Sequence, residues 1–152
     1  MEPDSSSRRA SETIRLLARF RYQLRQFLRF SETAARRAGL TPQQHQLLLG
    51  VAGHTGRGWA SVSELAEFLQ ERHNAVVGLV ERARRAGLVR KGLDAGDRRM
   101  VRVQLTAKGR NVLHRLSAQH RQELERFQVL AGFALPSKAR TEVSGVRASR
   151  SE

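Results

Sequence analysis

No cysteine occurs among the 152 residues. That excludes disulfide staples, thiolate-held zinc and a thiol-based redox sensor. Proline is nearly absent, with three in all, and aromatic residues make up only 5% of the chain, including a single Trp59 and a single Tyr22. Eight aromatics, mostly Phe at core-like spacing, do not make the stacking platform that single-strand binders need. Aspartate is confined to Asp4, Asp94 and Asp97, and no phosphate-binding glycine loop, metal motif or nucleophile elbow is present, so catalysis is not expected. His114 and His120 stand six apart, not the three or four that put two ligands on one helical face; neither a metal nor a cofactor is expected. The longest apolar run, residues 47–53, falls far short of the roughly 20 residues of a membrane helix. Residues 1–7 carry no apolar signal segment, and the expected location is the cytoplasm, with no membrane partner.

What the chain has in excess is positive charge. Twenty-eight basic against 14 acidic side chains give a net charge of +14, doubled if the protein dimerises. Such a field favours a polyanion, because displacing condensed counterions from phosphates drives association. Arg supplies 25 of the 28 basic residues, and its planar, bidentate contacts with phosphate and guanine are ones Lys cannot match. A GC-rich genome would produce the same preference for Arg over Lys, but it does not explain the net charge.

The pattern along the chain is mainly helical. Residues 1–9, with three serines and Pro3, read as a disordered tail. Residues 10–38 read as one long helix, in which Ile14, Leu17, Leu24, Phe27, Leu28, Ala34, Ala35 and Ala38 recur at three- and four-residue steps. Arg15, Arg19, Arg21, Arg25 and Arg29 form a second, solvated face. The helix is longer than one side of a small core needs, which predicts packing against another subunit. Thr41-Pro42-Gln43-Gln44 is a capping box that opens a second helix to about Gly53, burying Leu47, Leu48 and Val51. Residues 54–58 read as a loop.

Ser61-Val62-Ser63-Glu64 is another capping box, starting a short helix through Leu65, Ala66 and Leu69. After a break near residues 70–72, a helix over residues 73–86 turns Val76, Leu79, Val80 and Ala83 inward, and Gly87 ends it. Residues 88–92 and 100–105 read as two strands, with Val101, Val103 and Leu105 on one side and Arg102 and Gln104 on the other. Residues 94–99 are the hairpin tip. Thr106 caps a long helix to about Ala131, with Leu113, Leu116, His120, Leu124 and Phe127 on one face. From Leu135 the chain is weakly helical, and Val143 and Val146 are its only other bulky apolar residues.

Short helix, tight break, second helix and basic hairpin together form the arrangement of a winged helix-turn-helix. The first helix braces across the DNA backbone, and the second enters the major groove with its N-terminal and outward residues facing base edges. The outward positions are Arg72, His73, Asn74, Val77, Gly78 and Glu81. Asn bonds adenine bidentately, Arg bonds guanine and Val touches a thymine methyl, while Gly78 allows a close approach. Arg98 and Arg99 at the hairpin tip are offered to the minor groove or its phosphates, where narrow A·T tracts concentrate negative potential.

The stretch Ser63-Glu64-Leu65-Ala66-Glu67-Phe68-Leu69, then Ala75-Val76-Val77-Gly78-Leu79-Val80-Glu81-Arg82, then Ala86-Gly87-Leu88-Val89-Arg90, resembles the core of MarR-family transcriptional regulators. The hairpin tip running into Met100-Val101-Arg102-Val103-Gln104-Leu105-Thr106-Ala107-Lys108-Gly109 is similar to that family's Asp-Arg-Arg and Leu-Thr-x-x-Gly signature. The resemblance covers about residues 11–135, and the wing is its most specific part.

The resemblance implies a homodimer joined by the N- and C-terminal helices, with Ile14, Leu17, Leu24, Leu28, Leu124, Phe127 and Leu135 at the contact. It implies that residues 72–78 read bases, that Asp97 orients an arginine and that Arg99 enters the minor groove. Arg90 and Lys91 would flank Arg99 on the phosphates, and Ser61 and Ser63 would touch phosphate at the start of the bracing helix. It also implies a small aromatic or anionic effector between the dimer helices and the DNA-binding lobe, for which no residues are assigned.

Two departures from the family are visible. The recognition helix has Arg72-His73-Asn74-Ala75 in place of a polar Ser-x-Ser-Thr run, so no relative's operator transfers, and the C-terminal segment is poor in apolar residues. His45 stands where the family has an aromatic core residue and reads as packed, not ligating. His73 reads DNA or caps a helix turn, the former favoured. Asp97 and Arg99 read as wing residues in preference to an ordinary exposed ion pair. Trp59 and Tyr22 line an effector pocket or pack in the core, the latter favoured.

The expected architecture is therefore mainly α with a small β-hairpin wing: a winged helix-turn-helix domain over residues 41–105 (wing 88–105), an N-terminal dimerisation helix at 10–38, and a long helix with a C-terminal dimerisation segment at 106–152. The expected function is that of a homodimeric, sequence-specific regulator of double-stranded DNA, a ligand-responsive repressor on a pseudo-palindromic operator. The alternative is a non-specific, nucleoid-type DNA-binding protein without effector.

Overall fold

In the computed structural model, which describes residues 5–131, the chain runs α1 (Ser5–Arg37), α2 (Pro42–Leu49), a π-helical turn (Gly50–His54), β1 (Trp59–Ser61), α3 (Val62–Leu69), α4 (His73–Arg85), β2 (Val89–Leu93), β3 (Val101–Leu105) and α5 (Ala107–Ala131). This is the winged helix-turn-helix fold that the sequence pattern predicts. Leu135, Val143, Val146 and the rest of the expected C-terminal segment beyond residue 131 lie outside the described residues, as do residues 1–4. Among the described residues no helix is long and apolar enough to cross a membrane.

Three details differ from the sequence reading. Helix α1 starts at Ser5, so residues 5–9 are helical and not part of a disordered tail. No Pro or Gly interrupts the chain between Pro3 and Gly39, and the Ser11 and Thr13 hydroxyls donate back to the Ser7 and Arg9 carbonyls at 2.9 and 3.0 Å. The second helix is α-helical only to Leu49 and continues as the π turn. There a Cβ on Gly50 would lie 2.7 Å from the Phe68 ring, so the glycine admits α3 at close range. Third, the sheet has three strands in the order β1-β3-β2, both pairings antiparallel. The three residues of β1 are too few to show an alternation.

The caps form as read. Thr41 Oγ1 accepts from the Gln44 amide at 3.1 Å while the Gln44 side chain accepts from the Thr41 amide at 3.0 Å. Ser61 and Glu64 make the same reciprocal pair at the start of α3. The core gathers around Leu47, Leu48, Val51, Leu65, Val76, Val80, Val89, Val103 and Leu116, all fully buried. Val76, Leu79, Val80 and Ala83 face inward from α4 as predicted, and burying such side chains contributes about 1.5–3 kcal/mol each.

The end of α4 is stitched to the start of α5. Gly87, at φ +72°, stops the helix. The Thr106 hydroxyl donates to the Gly87 carbonyl at 2.6 Å and accepts from the Gly109 amide at 3.0 Å, while the Thr106 amide donates to the Leu88 carbonyl at 3.0 Å. Lys108 Nζ reaches the Ala86 carbonyl at 2.9 Å. A side chain at Gly109 would overlap the Leu88 carbonyl oxygen, which is the physical reason for glycine there.

Where α1, α2 and α5 meet, two histidines are buried. His45 is packed, as expected, with its ring 4.9 Å from that of His120. His120 Nδ1 bonds the Leu116 carbonyl at 2.7 Å, and its Nε2 bonds Ser31 Oγ at 2.8 Å. Burial first, and then the charge of His120 beside it, hold the His45 pKa down to about 4. The unfolded chain takes up that proton near pH 6.5, so the folded state binds fewer protons in between. Folding stability is therefore complete above about pH 6.5 and falls as the pH drops towards about 4. In equilibrium denaturation across that window, His45→Phe is expected to flatten the decline; an unchanged acid slope would remove His45 as its source.

Candidate nucleic-acid interface

Between α3 and α4 the chain turns through Gln70, which sits in the left-handed region at φ 53°. Helix α4 then begins at His73 with Arg72 in the N-cap position, its side chain making no capping bond. Because Val76, Val80 and Ala83 are buried, the opposite side of the helix presents Arg72, His73, Asn74 and Val77 to solvent. His73 makes no side-chain hydrogen bond among the described residues, which removes the capping alternative. Gly78 is half-buried, and a Cβ there would come within 3.2 Å of Arg82 Nη1.

The wing turn is organised by one carboxylate. Asp94 Oδ2 accepts from the Gly96 and Asp97 amides, each at 3.0 Å, and Oδ1 is bound by the Arg102 guanidinium. Partial burial pushes the Asp94 carboxyl up, but the Gly96 amide, Arg102 and the Asp97 amide together outweigh it and hold the group below its ordinary range. The expectation that Asp97 orients an arginine side chain is corrected here. Asp97 Oδ1 accepts from the backbone amide of Arg99 at 2.9 Å, and the carboxylate that holds a guanidinium is Asp94. Arg98 and Arg99 are exposed, and among the described residues neither side chain has an ion-pair partner.

Seven of the residues singled out in the sequence line one cleft of about 480 Å³: Ser61, Ser63, His73, Val77, Lys91, Asp97 and Arg99, over an apolar floor that includes Val80 and Val101. The bracing helix, the recognition helix and the wing thus converge on a single surface. Arg72, Asn74, Gly78, Arg90 and Arg98 lie outside that cleft: Arg72, Asn74 and Gly78 on α4 or its cap, Arg90 exposed on β2 and Arg98 at the wing tip. Ser61 Oγ accepts from the Glu64 amide at 3.2 Å as the cap of α3, and Ser63 is exposed in the first turn of the helix.

The basic side chains divide into two sets. Glu81, on the outer side of α4, takes Arg84 at 2.7 Å, Lys91 at 3.2 Å and Arg85 at 3.6 Å. Hydrogen bonds from Arg84 first, then Lys91, hold its pKa down to about 2, so it is ionised at any working pH. Lys91, expected on phosphate, is therefore held by Glu81. By contrast, Arg72, Arg82, Arg90, Arg98 and Arg99 have no ion pair among the described residues.

Sequence reasoning missed the group at the other edge of the sheet. Tyr22 and Trp59 were expected in the core, and neither is there. The buried stripe of α1 runs through Gln23, Ala34 and Ala35, flanked by half-buried Phe27 and Phe30, so Tyr22 falls off it and is 58% exposed. Trp59 is half-buried on β1, with the guanidinium carbons of Arg57 and Arg102 at 3.9 and 4.2 Å from its ring centroid. The usable sequence signal was the basic residue two positions before Trp59.

Of the expected dimerisation residues, Ile14 is 66% and Leu17 56% exposed, and Leu28 and Leu124 are also exposed. Leu24 and Phe127 are half-buried, Phe127 against the rings of Phe20 and Phe27 at 6.3 and 5.8 Å. Every described side chain from Ser6 to Arg19 is exposed.

A sequence model described as the MarR family matches residues 38–100. Among solved structures, a MarR family transcription regulator aligns with a TM-score of 0.70 at 21% identity, over 86% of this chain and 83% of that one. The M. tuberculosis transcriptional regulator MOSR, solved in complex with DNA, is 30% identical over 72% of this chain and 77% of its own, with a TM-score of 0.56. BpsR of Bordetella bronchiseptica, whose DNA binding is regulated by 6-hydroxynicotinic acid, is 22% identical over 76% of this chain and 83% of its own, with a TM-score of 0.57. Comparison with curated proteins found no match.

Releasing the cations that Glu81 holds gives a direct test of which way this face points. Glu81→Gln is expected to tighten binding to a random-sequence duplex several-fold at ~0.1 M salt and to steepen the salt dependence by about one phosphate contact. An unchanged slope would mean that Arg84 and Lys91 do not face the polyanion.

Proposed function

The chain belongs to the MarR family of transcription regulators, and from that premise we propose that it acts as a homodimeric, ligand-responsive repressor on a pseudo-palindromic operator. One observation carries the DNA-reading part: the outward face of α4 and the unpaired arginines of the wing flank the same cleft. In this reading, residues 41–105 are the DNA-binding unit. Arg72, His73, Asn74, Val77 and Gly78 face base edges in the major groove, and Asn74 is suited to bidentate bonding with adenine. Arg99, with Arg98 beside it, enters the adjacent minor groove. Ser61, Ser63 and Arg90 take phosphates, while Asp97 and Asp94 shape the turn that carries Arg99.

The dimer is supported by the first half of α1. An amphipathic helix with Ile14 and Leu17 in solvent has little intrinsic stability at that length, and a second copy would cover it. Ile14, Leu17, Leu28 and Leu124 would then meet their counterparts, with Leu24 and Phe127 beneath. An effector is supported by a groove of about 760 Å³ between α1 and α5, where Phe30 and Ala34 lie beside Arg37 and Arg115. An aromatic ring with an acidic group suits that lining, and BpsR is a relative whose DNA binding responds to such a molecule. The ligand would act only if it favoured one lobe arrangement over the other.

Selection of bound duplexes from a random pool at physiological salt tests the reading, since non-specific affinity there is only roughly 10⁻⁴–10⁻⁶ M. The expected product is a two-fold symmetric motif with half-sites about 10 bp apart. On that duplex Arg99→Ala is expected to cost about 1–3 kcal/mol, and 6-hydroxynicotinic acid serves as the first effector probe. Tight binding that yields no motif and collapses with salt would favour a nucleoid-type protein bound through its net charge of +14 alone.

A further inference from the structure

Trp59 lies in the middle of an unbroken chain of polar contacts that runs from the bracing helix to the wing. At one end, Glu64 accepts from the Ser61 amide at 2.8 Å within the cap of α3. The same carboxylate takes the Arg57 guanidinium through both oxygens, at 2.6 and 2.7 Å. Arg57 lies over the Trp59 ring at 3.9 Å, and Arg102 lies over it at 4.2 Å. At the other end Arg102 is bound by Asp94, whose second oxygen gathers the Gly96 and Asp97 amides of the wing turn. Strand pairing places the parts within reach, since Trp59 lies opposite Gln104 and Ser61 opposite Arg102.

Each cation in this chain already has a carboxylate. The aromatic ring between them therefore adds direction more than charge: a guanidinium stacks flat on a ring face and keeps its in-plane N–H groups free for a carboxylate. The wing turn is folded by Asp94, by Asp97 and by backbone bonds to Met100, none of which involves Trp59, so it would stay folded without that ring. What it would lose is a fixed attitude relative to α3 and α4.

We propose that Trp59 is a positioning residue for DNA binding: by stacking on Arg102 it sets the orientation of the Asp94 turn, and so determines whether Arg99 meets the minor groove while α4 occupies the major groove. The inference rests on the DNA-binding reading above. It also explains why the only tryptophan of the chain stands on a three-residue edge strand and not in the core.

Because Trp59 is the sole tryptophan, its fluorescence reports the stack with no DNA present. In the free full-length protein, Arg102→Gln is expected to shift the emission and raise acrylamide quenching of Trp59, and Asp94→Asn is expected to do the same. On the selected duplex, Trp59→Leu is expected to weaken binding about tenfold, and Trp59→Phe to recover most of the loss. Combined with Arg99→Ala, Trp59→Leu is expected to add almost nothing, because both act through the same contact. Additive losses, or failure of Phe to restore affinity, would overturn the proposal and leave Trp59 as a packing residue. Fluorescence that ignores Arg102→Gln would overturn it without reference to DNA. A fluorescence response with no selectable duplex would instead overturn the DNA-binding reading, and the role of Trp59 with it.

Discussion

The seam between the end of α4 and the start of α5 is the constraint on which the rest of the molecule depends. One hydroxyl, that of Thr106, is shared between the Gly87 carbonyl and the Gly109 amide, and it closes both helix ends at once. Unpaired helix ends are costly when buried, so the two helices satisfy each other's termini and are fixed in relative position. Gly109 allows the Leu88 backbone to lie against α5, and β2 leaves directly from that point. The helix α4, the wing and the long helix α5 are thus set from one junction, joined by hydrogen bonds at Gly87, Leu88, Thr106 and Gly109.

Charge is distributed unevenly over this frame. Cations near the base of the wing and the last turns of α4 are held by Glu81, and those around Trp59 are held by Glu64 and Asp94. Among the described cations without a carboxylate partner are Arg72 at the start of α4 and Arg98 and Arg99 at the wing tip. Exposed ion pairs contribute little stability, about 0–1 kcal/mol each. Their larger effect is to neutralise charge locally, while Arg72, Arg98 and Arg99, at the two places from which a major and a minor groove would be read, keep theirs.

Much of this was legible in the sequence because it depends on local chemistry. The two capping boxes, the break at residues 70–72, the inward set Val76, Leu79, Val80 and Ala83, and Thr106 as a cap each follow from a few neighbouring residues. What was not legible depends on partners distant in the chain. Strand β1 exists only because β3 pairs with it, and three residues show no period of their own. Trp59 left the core because Arg102, 43 positions later, cross-pairs beside it. Asp94 and Asp97 look equivalent on one hairpin tip; which of them takes a guanidinium is set by the register that brings Arg102 to Asp94. The start of α1 was misread for the opposite reason: its serines look like a tail by composition, while their backbone meets no breaker before Gly39.

Reading a two-fold operator requires two copies of α4 held one turn of DNA apart, so the central claim is that the chain pairs through the apolar side of α1 before it meets DNA. The most direct measurement is sedimentation equilibrium of the full chain without DNA, over a range of concentrations. A single species at twice the 17.1 kDa chain mass, reduced to the chain mass by Ile14→Glu with Leu17→Glu, is the expected result. A monomer at every concentration would contradict it, and with it the placement of two recognition helices on one operator.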